Sequence, residues 1–226
     1  MNNEFERKWR ENIASVVFVN EVAGKTAPFS DDDIDKQMAR VDEESNELMG
    51  HIDTLINKGV DHEIMVKIMD DICDIAVTLS YQMYMSDVAA LEVMCPLDEI
   101  EASGECHIEL LSELLKNRNA PFVRMCTLMT VAKMVSETPD LINCQKFDVN
   151  EAFTLVNANN MSKFIPETHP DLEQITYDTF RKYEELGEQI YTEHNHGYVV
   201  FKRVSDDKFL KPSTFVDVDI SSTVVV

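Results

Sequence analysis

Two long segments of helical periodicity, separated by a short break, constrain this chain more than any other feature. After Asp31, the residues Met38, Val41, Leu48, Ile52 and Leu55 recur at three- and four-residue spacing, which places them on one face of an α-helix. Ser30 or Asp31 caps its start and "NKG", Asn57 to Gly59, ends it, because glycine just past the last periodic residue stops a helix. Asp61 opens the next helix, which runs to about Met85 and carries Ile64, Met65, Ile68, Met69, Ile72, Ala76 and Leu79. Apolar residues this dense need burial on more than one side, so the pair must be covered by the rest of the chain.

The remainder reads as further helix. Glu4 to Val22 forms a first helix. Residues 86–149 add helical material, including "IELLSELLKN" and "VRMCTLMTVAKMVSE", with breaks at Pro96, Gly104, Pro121 and Pro139. Helices follow in "VNEAFTLVNANNMSKF" and "YDTFRKYEELGEQIYTEH". The end alternates apolar and polar residues in "GYVVFKRVSDDKFLKPSTFVDVDI", predicting a small hairpin or irregular lobe that turns at Ser205 to Lys208, with "SSTVVV" as a frayed tail. A hydrophobic share of 44% with only 6 Gly and 7 Pro fits a packed helical protein. The expected fold class is an all-α helical bundle, in one domain over 1–226.

A formal net charge of −22 excludes nucleic acid as a main partner, since phosphate backbones are bound by Lys and Arg. Such acidity serves solubility, or else some carboxylates are neutralised by bound cations. The five cysteines, Cys73, Cys95, Cys106, Cys126 and Cys144, form no CxxC pair and read as reduced, mostly buried thiols. The first residues lack the pattern of a signal peptide, and no apolar run approaches the roughly 18 residues of a membrane span. The expectation is a protein with no membrane partner, in the cytoplasm.

The helix pair also carries carboxylates where it should be burying surface. With about 100° of rotation per residue, Glu44 falls between Val41 and Leu48 at the edge of the apolar stripe, Glu47 just outside it, and Glu43 points away. The next helix repeats the device in "MDDICDIAV", where Asp71 and Asp74 are three apart; Asp70 with Asp74, four apart, satisfies the same geometry. Like-charged pairs at a helix seam repel and lose hydration unless something positive lies between them. A divalent cation answers that need: Mg²⁺ takes hard oxygen ligands and keeps waters that substrate phosphates can replace. Ferritin-like di-metal sites need Glu-x-x-His pairs, and no Glu here has a His three residues on; no His directly precedes an Asp, as an HD-type phosphohydrolase requires. "HNH" at 194–196 reads as a turn, and Trp9 as packing rather than a base platform.

These residues resemble the all-α nucleoside triphosphate pyrophosphohydrolase superfamily, which includes MazG-like proteins, whose signature is EExxE on one helix and ExxD on the next. Glu43, Glu44 and Glu47 match the first part and Asp71 and Asp74 the second, with 23 residues between Glu47 and Asp71 and Asp71 in place of the usual Glu. A phage-type branch similar to phosphoribosyl-ATP pyrophosphohydrolase adds an NxSK motif and a later lysine segment. This chain has "NNMSKF" and "DDKFLKPSTF". The resemblance covers about residues 10–85 and 150–220; it marks 31–85 as the metal-binding helix pair, 86–149 as a helical insertion, and 150–220 as the NxSK helix with its C-terminal lobe.

The resemblance implies a MazG-like bundle that hydrolyses a (d)NTP to the monophosphate and pyrophosphate, with Mg²⁺ or Mn²⁺ as its substitute. It implies metal binding by Glu44, Glu47, Asp71 and Asp74, and water activation by Glu43 or Glu44. Asn160, Lys163, Lys208 and Lys211 would bind substrate phosphate. It further implies a homo-oligomer, dimer or tetramer, and a role in phage nucleotide metabolism, in the host cytoplasm, on a deoxynucleotide such as dGTP or dATP. The alternatives are hydrolysis of phosphoribosyl-ATP or a related metabolite, and a non-catalytic helical interaction protein that kept the fold.

Overall fold

The helix pair begins and ends where its capping chemistry dictates. In the computed structural model, which describes residues 4–86 and 121–226, helix α2 spans Asp31–Lys58 after helix α1, Glu4–Val22. Ser30 caps α2 in a reciprocal box: its hydroxyl accepts from the Asp33 N–H while the Asp33 carboxylate accepts from the Ser30 N–H, satisfying two donors that a helix start leaves free. Gly59 closes α2 at φ 86°, its N–H donating to Leu55 O. Asp61 then caps α3, His62–Met85. Helices α4, Pro121–Glu137, α5, Val149–Met161, and α6, Leu172–Glu185, follow. Pro121 opens α4, a position where its missing N–H costs nothing.

The described residues are dominated by helix, with two small sheets. No helix among them is long and apolar enough to cross a membrane. They divide into two compact units, one made of residues 4–17, 28–86, 121–156 and 219–226 and the other of residues 18–27 and 157–218. Helices α1 and α5 each contribute to both.

In the first unit α2 and α3 form the principal helix pair, and α4 packs on α3. Val41, Leu48 and Ile52 of α2 meet the dense apolar surface of α3, where Met65, Met69, Ile75 and Leu79 are fully buried. Gln37 ties the two helices at one end, its amide donating to Thr78 O at 2.7 Å. Trp9 is buried between Phe5 and Phe153, as packing. The two-residue strands β1, Lys146–Phe147, and β5, Val224–Val225, pair antiparallel, and β5 lies against α3. This corrects the reading of "SSTVVV" as a frayed tail: Thr223 and Val224 are buried, and the backbone of 223–225 accepts from Gln145 and Asp148.

The second unit is built on a three-stranded sheet in the order β2-β4-β3, with β2 at Ile165–Pro166, β3 at Ile190–Asn195 and β4 at Tyr198–Arg203. The central strand β4 buries both faces, as the two-residue period of a strand allows. Val199 and Phe201 pack with Ile175 and Tyr183 of α6, while Val200 packs with Val19, Val22 and Phe164. Two corrections arise here. The helix expected through "YDTFRKYEELGEQIYTEH" stops at Glu185, because Gly187 takes φ 75° and 190–195 pairs with β4. The main hairpin turn is therefore His196–Gly197, not Ser205–Lys208: both residues have positive φ, 51° and 79°, as a two-residue loop between twisted strands requires. Of "HNH", read as a turn, only His196 is in the turn; His194 and Asn195 end strand β3. The chain does reverse again after Arg203, where a single bridge joins Lys202 to Phe209. The expected helix in "IELLSELLKN", the breaks at Pro96 and Gly104, and Cys95 and Cys106 lie outside the described residues. Cys73, Cys126 and Cys144 are buried free thiols.

Candidate metal centre

The three-residue spacing of Glu44 and Glu47 turns both toward the α3 side of α2, but to different depths. Glu44 is half-buried, whereas Glu47 and Glu43 are exposed. On α3, Asp71 is 7% exposed, Asp74 is half-buried and Asp70 reaches solvent. Burial pushes the Glu44 carboxyl above its ordinary range, and the charges of Glu47, Glu43, Asp71 and Asp70 push it further. Of the α3 carboxylates, Asp71 and then Asp70 act most on Glu44. Asp70 is itself raised, by the protein around it and by Glu47.

Asp71 is raised by burial first, against which a bond from His51 pulls down, with Asp70 and Glu47 pushing up again. That bond crosses the seam: His51 Nδ1 on α2 lies 2.6 Å from Asp71 Oδ2 on α3. An ionised carboxylate only accepts, so the imidazole carries the proton between them. The helix pair therefore brings Glu44, Glu47, Asp70 and Asp71 into one electrostatic group with His51. Asp74, half-buried one turn along α3 from Asp70 and Asp71, acts on the buried thiol of Cys73.

Two participants escaped the sequence reading. His51 follows Glu47 by four residues, the spacing that stacks side chains on one helix face, and that spacing was the available signal. Arg124 lies in the apolar helix α4 and is 1% exposed; its Nη2 donates to Ser45 Oγ at 3.2 Å and lies 3.6 Å from Asp42 Oδ1. An arginine within so apolar a run is itself a signal, since a buried guanidinium needs partners.

The donor types fit a hard divalent cation. Partly buried carboxylates with like charges beside them are the oxygen set such an ion stabilises. Among the described residues no three His, Cys, Asp or Glu side chains are already drawn together at ion-holding distance. A cavity of about 470 Å³ elsewhere in this unit, lined by Phe5, Lys8 and Lys146 among others, contains none of these residues.

The expected phosphate-binding residues belong to the second unit. The NxSK motif straddles the end of α5, with Asn160 in the helix and Ser162 and Lys163 in the turn beyond it: Lys163 Nζ donates to Asn160 Oδ1 at 2.6 Å, and Ser162 Oγ donates to Asn159 O. Lys163 and Lys211 both place their ammonium groups over the Phe215 ring, at 5.8 and 4.5 Å from its centre, and Lys211 pairs with Asp217 at 2.6 Å. Lys163 and Lys211 thus share one aromatic side chain, and Asn160 is bonded to Lys163. Lys208 stands at the exposed turn beside Asp206, to which its backbone N–H donates.

Comparison of the chain with protein-family models, curated proteins and solved structures found no match.

Proposed function

We propose that the α2–α3 seam is the centre of a Mg²⁺-dependent nucleoside triphosphate pyrophosphohydrolase, taking a deoxynucleotide such as dGTP or dATP to its monophosphate and pyrophosphate. The observation that supports this most is the placing of half-buried Glu44 and buried Asp71 on two packed helices, each pushed up first by burial and then by neighbouring carboxylates. Carboxylates held together at such a cost mark sites whose ligand supplies the missing positive charge.

Glu44, Glu47, Asp71 and Asp74 are the residues assigned to hold the cation, with Mn²⁺ able to replace Mg²⁺. When bound, the cation offsets the charge of the triphosphate oxygens. The chain's own part is to fix the reacting groups. Glu44, half-buried at the edge of the seam, or its exposed neighbour Glu43 orients the attacking water and accepts its proton. The water oxygen bonds to phosphorus as the anhydride bond between the α and β phosphates breaks, and the departing oxygen leaves as a phosphate oxyanion.

The test is product analysis by ion-exchange chromatography after the pure protein meets each common dNTP and NTP with Mg²⁺. Monophosphate and pyrophosphate in equal amounts from at least one nucleotide are expected. Diphosphate with inorganic phosphate, or no product with any nucleotide, would overturn the reading.

A further inference from the structure

This inference rests on the metal reading of the seam and deepens it. We propose that His51 is a positioning residue for the cation: its Nδ1–H holds Oδ2 of Asp71, leaving Oδ1 as the oxygen that Asp71 offers to the metal.

Four observations converge on this role. The bond runs between helices, from α2 to α3, at 2.6 Å, so it fixes the two carboxylate-bearing faces relative to each other. Asp71 is 7% exposed while His51 is one-third exposed, so water cannot readily stand in for the imidazole at the buried oxygen. His51 lies one turn beyond Glu47 on the same side of α2, which places the donor beside the acidic group it orients. The fourth point is chemical. A lysine or arginine here would hold Asp71 just as firmly but would also neutralise the seam and compete with a cation. An imidazole presents a single Nδ1 donor to that oxygen and carries no permanent charge. Partners of this kind behind a ligand set its orientation and with it the affinity of the site.

Two isosteric substitutions separate this role from a structural tie. In His51→Asn the side-chain amide N–H falls near the position of Nδ1, whereas in His51→Gln it falls near that of Nε2. Both variants keep a polar, uncharged side chain at a one-third exposed position, so both retain the fold. Mn²⁺ binding to the full chain, without nucleotide, is followed by the loss of the free-ion paramagnetic resonance signal. The expected result is an affinity reduced about 10–100-fold in His51→Gln and held within a few-fold of wild type in His51→Asn.

Melting temperature is measured in parallel, with and without Mn²⁺. A purely structural tie would lower the metal-free value of His51→Gln while its Mn²⁺ affinity stayed at the wild-type level, and that result overturns the proposal. Equal weakening in both variants overturns it as well, because the Nδ1 donor would then not be the cause. A wild-type chain that binds no Mn²⁺ overturns the metal reading itself and this role with it.

Discussion

Gly24 shows how closely single residues are specified in the second unit. It sits at φ 78°, and a methyl group added there would meet Asn195 Nδ2 and Lys202 Nζ at 3.1 Å and Glu193 at 3.2 Å. Those atoms belong to one network: buried Lys202 donates to Glu193 at 2.5 Å, and Asn195 donates to the same carboxylate. Gly24→Ala combines an unfavourable backbone region with pressure on that network and should cost about 1–3 kcal/mol. Gly50, inside α2 with nothing within 4 Å of the added methyl, is the control: Gly50→Ala should stabilise by about 0.5–1 kcal/mol. Urea denaturation of the two variants checks both signs, and equal effects would mean that Gly24 is not the constrained position described here. At this scale the depth of Glu44 against Glu43 was legible, because it follows from helix rotation alone. The His51–Asp71 and Arg124–Ser45 contacts were not, because which side chain crosses a helix seam depends on the offset between helices, and local periodicity does not encode it.

Among the elements, α1, α2 and α3 were legible almost to the residue. Their limits are written in local chemistry, namely Ser30 with Asp33, Gly59 and Asp61. The strand β3 was hidden, since "EQIYTEHN" has no isolated preference strong enough to oppose the helix running into it, and its pairing with β4 decides the outcome. Gly187 was the one local sign, and the spacing beyond it was read through. The segment β5 was hidden for the same reason: its role comes from β1, nearly eighty residues earlier, and from α3. That role is testable by contrast. Val224 is 1% exposed and Val225 is 41% exposed, so Val224→Ala should cost about 2 kcal/mol while Val225→Ala stays within about 0.5 kcal/mol. Unfolding midpoints in urea at constant m-value give the comparison. Two neutral substitutions would return this segment to a frayed tail.

At the scale of the whole molecule, the chain carries 42 acidic against 20 basic side chains, a general excess that favours solubility and disfavours polyanions. The division into two units was not legible, because α1 and α5 run through both and no composition shift marks a boundary. What links sequence to the proposed chemistry is local to the first unit: two helices whose apolar faces must meet also carry carboxylates into that meeting. The account therefore stands or falls on whether those carboxylates do the work. The most direct measurement is the rate of monophosphate and pyrophosphate formation by Glu44→Gln beside the wild type, at saturating Mg²⁺, with the melting temperature of each as the control for folding. Removing the charge of a group that holds the cation or activates the water should lower the rate by about 10²–10⁴-fold, with the melting temperature unchanged or raised as repulsion at the seam is relieved. A Glu44→Gln protein that turns over at the wild-type rate would contradict the assignment of this seam as the reaction centre.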